Sequence, residues 1–246
     1  MIRFILIVII VVGFLILTIP VLGILWLIGR KNKKAADLAS LRIVQGAFKL
    51  ILFVAGTKVT VIGAENVPKD QPVLYIGNHR SYFDILLTYS RCPGLTGYVA
   101  KDGMLKVPLL STWMKRLYCL FLNRTDLKQG LQTILTGIDQ IKNGISMCIF
   151  PEGTRNKNAS ELELLPFHEG SLKMAEKTGC PIITMSINNS QEIFEAHFPK
   201  IRSCHVVLEY GKPIYPKELS REERKFLGAY CQKQIVETLK KNQELV

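Results

Sequence analysis

The chain holds six cysteines in 246 residues, and no two of them stand in C-x-x-C spacing. Neither a zinc site nor a disulfide framework is indicated, and the scatter agrees with a reducing compartment. Most of the six lie inside apolar runs, where cysteine is usually a small core residue. The sequence has no G-x-S-x-G, so a serine nucleophile elbow is excluded. Phosphate-loop and dinucleotide-binding glycine patterns are missing too. So are helix-turn-helix, zinc-finger and RNP patterns, which argues against nucleic acid as the partner of a basic chain. Acidic residues are the scarce charge: 20 Asp and Glu stand against 32 Lys and Arg, a net charge of +12. That balance suits an anionic membrane surface or another acidic partner. No internal repeat or low-complexity stretch interrupts residues 57–246.

From Phe4 to Ile28 every residue is apolar except Thr18, with Gly13, Pro20 and Gly23 as the only breakers. One helix of this length would run about 37 Å, more than the roughly 30 Å of a bilayer's hydrocarbon core. Pro20 would kink such a helix or split it. The run is too long for a signal peptide, and basic residues 30–34 follow it in place of a small-residue cleavage site. Those residues outweigh the single Arg3 before the run, which puts the body of the protein on the cytoplasmic side. Residues 35–55 show helical spacing of Leu38, Leu41, Ile43, Val44, Ala47, Phe48, Ile51 and Leu52 with Arg42, Gln45 and Lys49 between them. This predicts a basic amphipathic helix lying in a membrane surface, or an ordinary helix packed on a domain. Residues 1–56 thus form an N-terminal membrane-anchoring unit, and 57–246 a single domain.

In that domain short apolar, β-branched runs at 58–63, 72–77, 95–100, 118–122, 145–150, 181–187 and 204–210 predict strands. Helical patterns fall at 85–89, 126–143, 171–177 and after Ser220. Gly144 is a natural C-cap for the second, and Ser220-x-x-Glu223 a capping box for the last. Phe226, Leu227, Tyr230, Ile235 and Leu239 would give that final helix its core-facing stripe. The alternation predicts an α/β fold, a mixed, largely parallel sheet covered by helices.

Two turns follow predicted strands, where α/β folds commonly place chemistry. The first is Asn78-His79-Arg80-Ser81-Tyr82-Phe83-Asp84. Asp84 could orient the imidazole of His79 and leave its other nitrogen free to take a proton from a hydroxyl. Taken alone, the spacing also fits Ser81 and Asp84 capping a helix beside a loop histidine. The second turn is Phe150-Pro151-Glu152-Gly153-Thr154-Arg155. Arg155 offers a planar cationic fork suited to phosphate, and Gly153 lets the backbone approach an anion. His168, His197 and His205 have no partner at useful spacing and read as surface or core residues.

Asn-His-x-Ser-x-x-Asp followed about seventy residues later by Phe-Pro-Glu-Gly-Thr-Arg resembles the paired signature of the glycerolipid acyltransferase family. The likeness covers most of residues 57–215 and is greatest to the branch that acylates lysophosphatidic acid. Weaker blocks lie around Lys101, at 118–124, at 165–170 and at 180–185. Asp102-Gly103-Met104, Cys119, Asn123 and Thr184 depart from the family pattern. The resemblance implies transfer of a fatty acyl group from an acyl carrier protein or coenzyme A thioester to the 2-hydroxyl of lysophosphatidic acid, without metal or redox cofactor. His79 would be the general base and Asp84 its orienting partner. Lys101, Arg124 and Arg155 would clamp the phosphate. Glu152, Gly153 and Thr154 would line the substrate turn, Glu152 orienting either Arg155 or a substrate hydroxyl, with Asn78 and Ser81 in support. A sister enzyme using glycerol-3-phosphate or another lysolipid, and a catalytically silent lipid-binding membrane protein, are the competing readings.

Overall fold

The computed structural model describes residues 1–246 except Arg124. Seven strands form one sheet: β1 (Lys58–Ile62), β2 (Leu74–Gly77), β3 (Thr96–Lys101), β4 (Leu120–Leu122), β5 (Ser146–Ile149), β6 (Ile182–Asn188) and β7 (His205–Tyr210). Their spatial order is β1-β7-β6-β2-β5-β3-β4. Every neighbouring pair is parallel except β6 with β7. All seven predicted strands are present, most a residue or two shorter than their apolar runs.

Alternation along the strands sorts side chains into two cores. Tyr75, Cys148, Ile183 and Met185 point to one face of the sheet. Leu74, Ile76, Met147, Ile149 and Ile182 point to the other. The second core is closed by α6 (Leu127–Lys142), α7 (Lys173–Thr178) and the final helix α9 (Leu227–Asn242). The side chain of Asp126 caps α6 by accepting from Gln129 N–H, and α6 ends before Gly144 at φ +83°, a conformation that favours glycine. The capping box at Ser220 and Glu223 starts α8 (Arg221–Lys225), as expected. The predicted stripe needs one correction. The helix breaks at Phe226, which is exposed, whereas Leu227, Ile235 and Leu239 are buried.

The first core is closed by α4 (Phe83–Tyr89) and by three N-terminal helices, α1 (Ile2–Leu17), α2 (Ile19–Lys31) and α3 (Lys33–Ala55). Ile7, Leu25, Leu41, Val44, Ile51 and Leu52 join the same apolar cluster as Tyr75, Phe83 and Leu87. The expected stripe of α3 therefore packs on the protein and is not the face that would meet lipid. Asp37, Ser40 and Gln45 on α3 are buried as well. Gln45 donates to the carbonyls of Tyr89 and Cys92.

The long apolar run is two helices, bent by 46° at Thr18, two residues before Pro20. Thr18 forms the break: its Oγ1 donates to Phe14 O at 2.6 Å and accepts from Trp113 Nε1 at 3.0 Å. Trp113 sits on α5 (Leu110–Arg116) and packs against Phe14. Pro20 falls in the first turn of α2, where its missing N–H costs nothing. By length and composition, α3 and the bent α1–α2 pair could each cross a membrane. Ile2, Ile9, Leu17, Trp26, Leu27 and Phe53 remain exposed.

Trp113 is 2% exposed, so removing its acceptor leaves a buried N–H unpaired. Thr18→Val should cost about 1–3 kcal/mol in detergent unfolding, and Thr18→Ser much less. An unchanged unfolding midpoint for Thr18→Val would show that the bond does not hold the bend.

Candidate active site

β2, β5 and β3 run parallel, so the residues that follow them meet at one edge of the sheet. β2 ends at Gly77, and Asn78 then locks the chain onto β6: its Nδ2 donates to Ile187 O and its Oδ1 accepts from Ile187 N, both at 2.9 Å. Asp84 closes the turn from the first turn of α4. Its buried Oδ2 accepts from the backbone N–H of Arg80 and of Ser81, each at 2.8 Å, and from His79 Nδ1 at 2.9 Å. With Oδ2 acting as acceptor, Nδ1 carries the proton and Nε2 presents its lone pair. The ring stacks on Phe150 with centroids 4.3 Å apart. Asp84 is thus more than a helix cap; the N-cap of α4 is Tyr82, and Ser81, one residue earlier, accepts from Phe83 N–H through Oγ.

The second turn is fastened to the first through backbone. Glu152 Oε1 accepts from His79 N–H at 2.8 Å, and Oε2 from Leu165 N–H at 2.9 Å. The backbone N–H of Asn156 donates to His79 O at 2.6 Å. Glu152 thus bonds backbone and not Arg155, whose ion-pair partner is Glu195. Each Glu152 oxygen accepts from one of these backbone N–H groups. Burial pushes its carboxyl above the usual range, while the hydrogen bonds from Leu165 and His79 oppose that shift. Gly153 takes φ +70°, the left-handed conformation the turn requires, and Thr154 is exposed beside it.

Arg155 lies over the ring of Tyr82, 3.6 Å from its centroid, and donates from Nη1 to Glu195 at 2.9 Å. Lys101 ends β3 at the same sheet edge, exposed, and makes no side-chain hydrogen bond among the described residues. Arg124 lies outside the described residues. The structure thus brings together His79, Asp84, Asn78, Ser81, Glu152, Gly153 and Arg155, with Lys101 on the same rim.

Two functional neighbours escape sequence reasoning. Arg80, the variable position of the first motif, is 4% exposed and donates to Ser160 O, Asn158 O and Gln191 Oε1, pinning the 156–163 loop. Glu195 is the other. Its bonds to Ser81 and Tyr82 span more than a hundred residues and leave no local signal. Among the remaining histidines, His197 pairs with Glu192 and His205 with Thr60, while His168 lines a groove.

That groove, about 740 Å³, runs from Phe150, Pro151 and Gly153 along α6. Ile138 and Ile141 of the α6 stripe are buried, but Leu127, Leu131 and Leu135 are exposed and form its wall. Lys142, Lys173 and Lys177 stand at its margin.

A family profile described as Acyltransferase matches residues 58–188, just over half of the chain. The chain belongs to the acyltransferase family. A 1-acyl-sn-glycerol-3-phosphate acyltransferase of Borreliella burgdorferi is 30% identical over 80% of this chain and 78% of its own length. One from Saccharomyces cerevisiae is 29% identical over 87% of this chain and 69% of its own. The crystal structure of a 1-acyl-sn-glycerophosphate (LPA) acyltransferase from Thermotoga maritima superposes with a TM-score of 0.76 at 23% identity. The match covers 98% of both chains, so the shared acyltransferase fold includes the N-terminal helices.

Glu152→Gln keeps the shape but leaves one backbone N–H facing an amide nitrogen that cannot accept it. The turn carrying His79 loosens, and kcat should fall about 10- to 100-fold. A carboxyl raised in the folded state contributes stability at low pH that is lost as pH climbs from the ordinary carboxylate range through the raised value. That part of the stability profile should flatten in the variant. Unaltered turnover and an unaltered profile together would remove Glu152 from the site.

Proposed function

We propose that this acyltransferase moves a fatty acyl group from an acyl carrier protein or coenzyme A thioester to the sn-2 hydroxyl of 1-acyl-sn-glycerol-3-phosphate. The observation that carries the reading is the Asp84–His79 pair: a buried carboxylate holds Nδ1 of a half-buried imidazole whose Nε2 makes no hydrogen bond among the described residues. The ring stacks on Phe150 at the end of an apolar groove, with Arg155 over Tyr82 of the same turn as His79. The printed activities of the relatives support the acceptor.

A thioester is already activated, so the enzyme has to deprotonate an alcohol and hold it against the carbonyl. His79 Nε2 takes the hydroxyl proton as the oxygen attacks. Asp84 keeps Nδ1 protonated and balances the imidazolium that forms. The proton then leaves with the departing thiolate. Direct attack is favoured over a covalent acyl-enzyme. The sequence has no serine elbow, and burial pushes Cys92 and Cys119 up to about 11, far from thiolate chemistry at neutral pH.

Arg155 and Lys101, with Arg124, supply the positive charge for the acceptor's phosphate. The groove along α6 is of ordinary ligand-site size and takes an acyl chain. The exposed apolar residues of α1, α2 and α3, with the basic residues Arg30, Lys31, Lys33 and Lys34 at the junction of α2 and α3, seat the protein in an anionic membrane with the sheet on the cytoplasmic side.

Purified enzyme supplied with lysophosphatidic acid and a labelled acyl thioester should yield phosphatidic acid. His79→Ala should abolish that product without unfolding the protein, and Asp84→Asn should slow it by orders of magnitude. Normal turnover by folded His79→Ala would end the mechanism. For the acceptor, Arg155→Ala should lower kcat/KM for lysophosphatidic acid about 10- to 100-fold and spare monoacylglycerol. Equal losses on both would dismiss the head-group assignment. Gly130→Phe, at a wall position where an added Cβ would meet Leu122 only at ordinary contact distance, should shift preference toward shorter acyl chains. An unaltered chain profile would place the acyl group elsewhere.

A further inference from the structure

Arg155 is held by a residue that lies outside both motifs and outside the residues matched by the family profile. Glu195 opens a short 3-10 turn, Glu195–His197, beyond β6. Its Oε1 accepts from Arg155 Nη1 at 2.9 Å and from the backbone N–H of Tyr82 at 2.8 Å. Its Oε2 accepts from the Ser81 hydroxyl at 2.5 Å. Two donors of the His79 turn therefore fix the carboxylate before it meets the guanidinium.

The Tyr82 ring covers one face of that guanidinium. One nitrogen and one face are thus taken, while Nε and Nη2 make no hydrogen bond among the described residues. Those two N–H groups form the edge of the fork that suits a phosphate's paired oxygens. A free arginine would have to lose rotamer freedom each time it gripped a ligand, and a prepositioned one has lost it already.

We propose that Glu195 is a positioning residue for the acceptor's phosphate. It ties Arg155 to the turn that carries His79, so that phosphate grip and proton abstraction share one rigid frame. The inference rests on Arg155 as a phosphate contact. The rival role, a carboxylate that vacates Arg155 when phosphate arrives, would strip the Ser81 hydroxyl and Tyr82 N–H of their acceptor.

The test uses the full chain in detergent, with lysophosphatidic acid and monoacylglycerol as acceptors. Glu195→Gln should raise KM for lysophosphatidic acid about tenfold, more than it lowers kcat, and should not raise KM for monoacylglycerol. In the Arg155→Ala background the same change should add no further loss. Ser81→Ala, which frees one Glu195 oxygen, should give a milder rise in KM and serves if Glu195→Gln fails to fold. An unchanged or lowered KM, or additive losses at Glu195 and Arg155, would overturn the inference. Equal damage to both acceptors by Arg155→Ala would instead strike the head-group reading, so the two failures stay distinct.

Discussion

The catalytic edge of this protein depends on how the backbone of His79 is held. Its N–H is taken by Glu152, its carbonyl by Asn156, and its imidazole by Asp84. All three partners are buried, where hydrogen bonds meet little competition from water and a missing one is costly. Two loops about seventy residues apart are thereby fused into one piece. The groove, the arginine and the base then keep their spacing without any of them having to be rigid alone.

Part of this was legible because the controlling interactions are local. Strands such as β5 and β6 are short apolar runs buried on both faces, and burial of that kind leaves a plain mark in the sequence. The His79–Asp84 pair spans five residues, so spacing alone suggests it. Glu152 shows where local reasoning stops. Three residues from Arg155, it invites an ion pair, yet two backbone N–H groups claim both its oxygens. The pattern of α3 says which residues share a face but not what covers that face, and here the domain covers it. Phe226 fits a helical stripe until a break at that residue turns it outward. Glu195 reaches Ser81 and Tyr82 from well over a hundred residues away, a contact that only the fold creates.

Charge is arranged with similar economy. A chain of net charge +12 could pair its cations at random, but at the site the carboxylates are committed to backbone or to one named cation. Among the described residues of the site, Lys101 and one edge of Arg155 are uncommitted and left at the rim for an anionic ligand. Lys142, Lys173 and Lys177 continue the same sign along the groove margin.

The three N-terminal helices share a core with the sheet, and hardly any chain separates them: Asn32 alone lies between α2 and α3, and Gly56 and Thr57 between α3 and β1. A tethered enzyme can lean, swing and reach; this one cannot. With those helices seated in lipid as proposed, the crevice stands at one fixed height and tilt above the bilayer plane. Acceptors must then be lifted to it by the same distance every time. Membrane thickness and packing become variables the enzyme feels directly, as a bearing feels the shaft it was cut for.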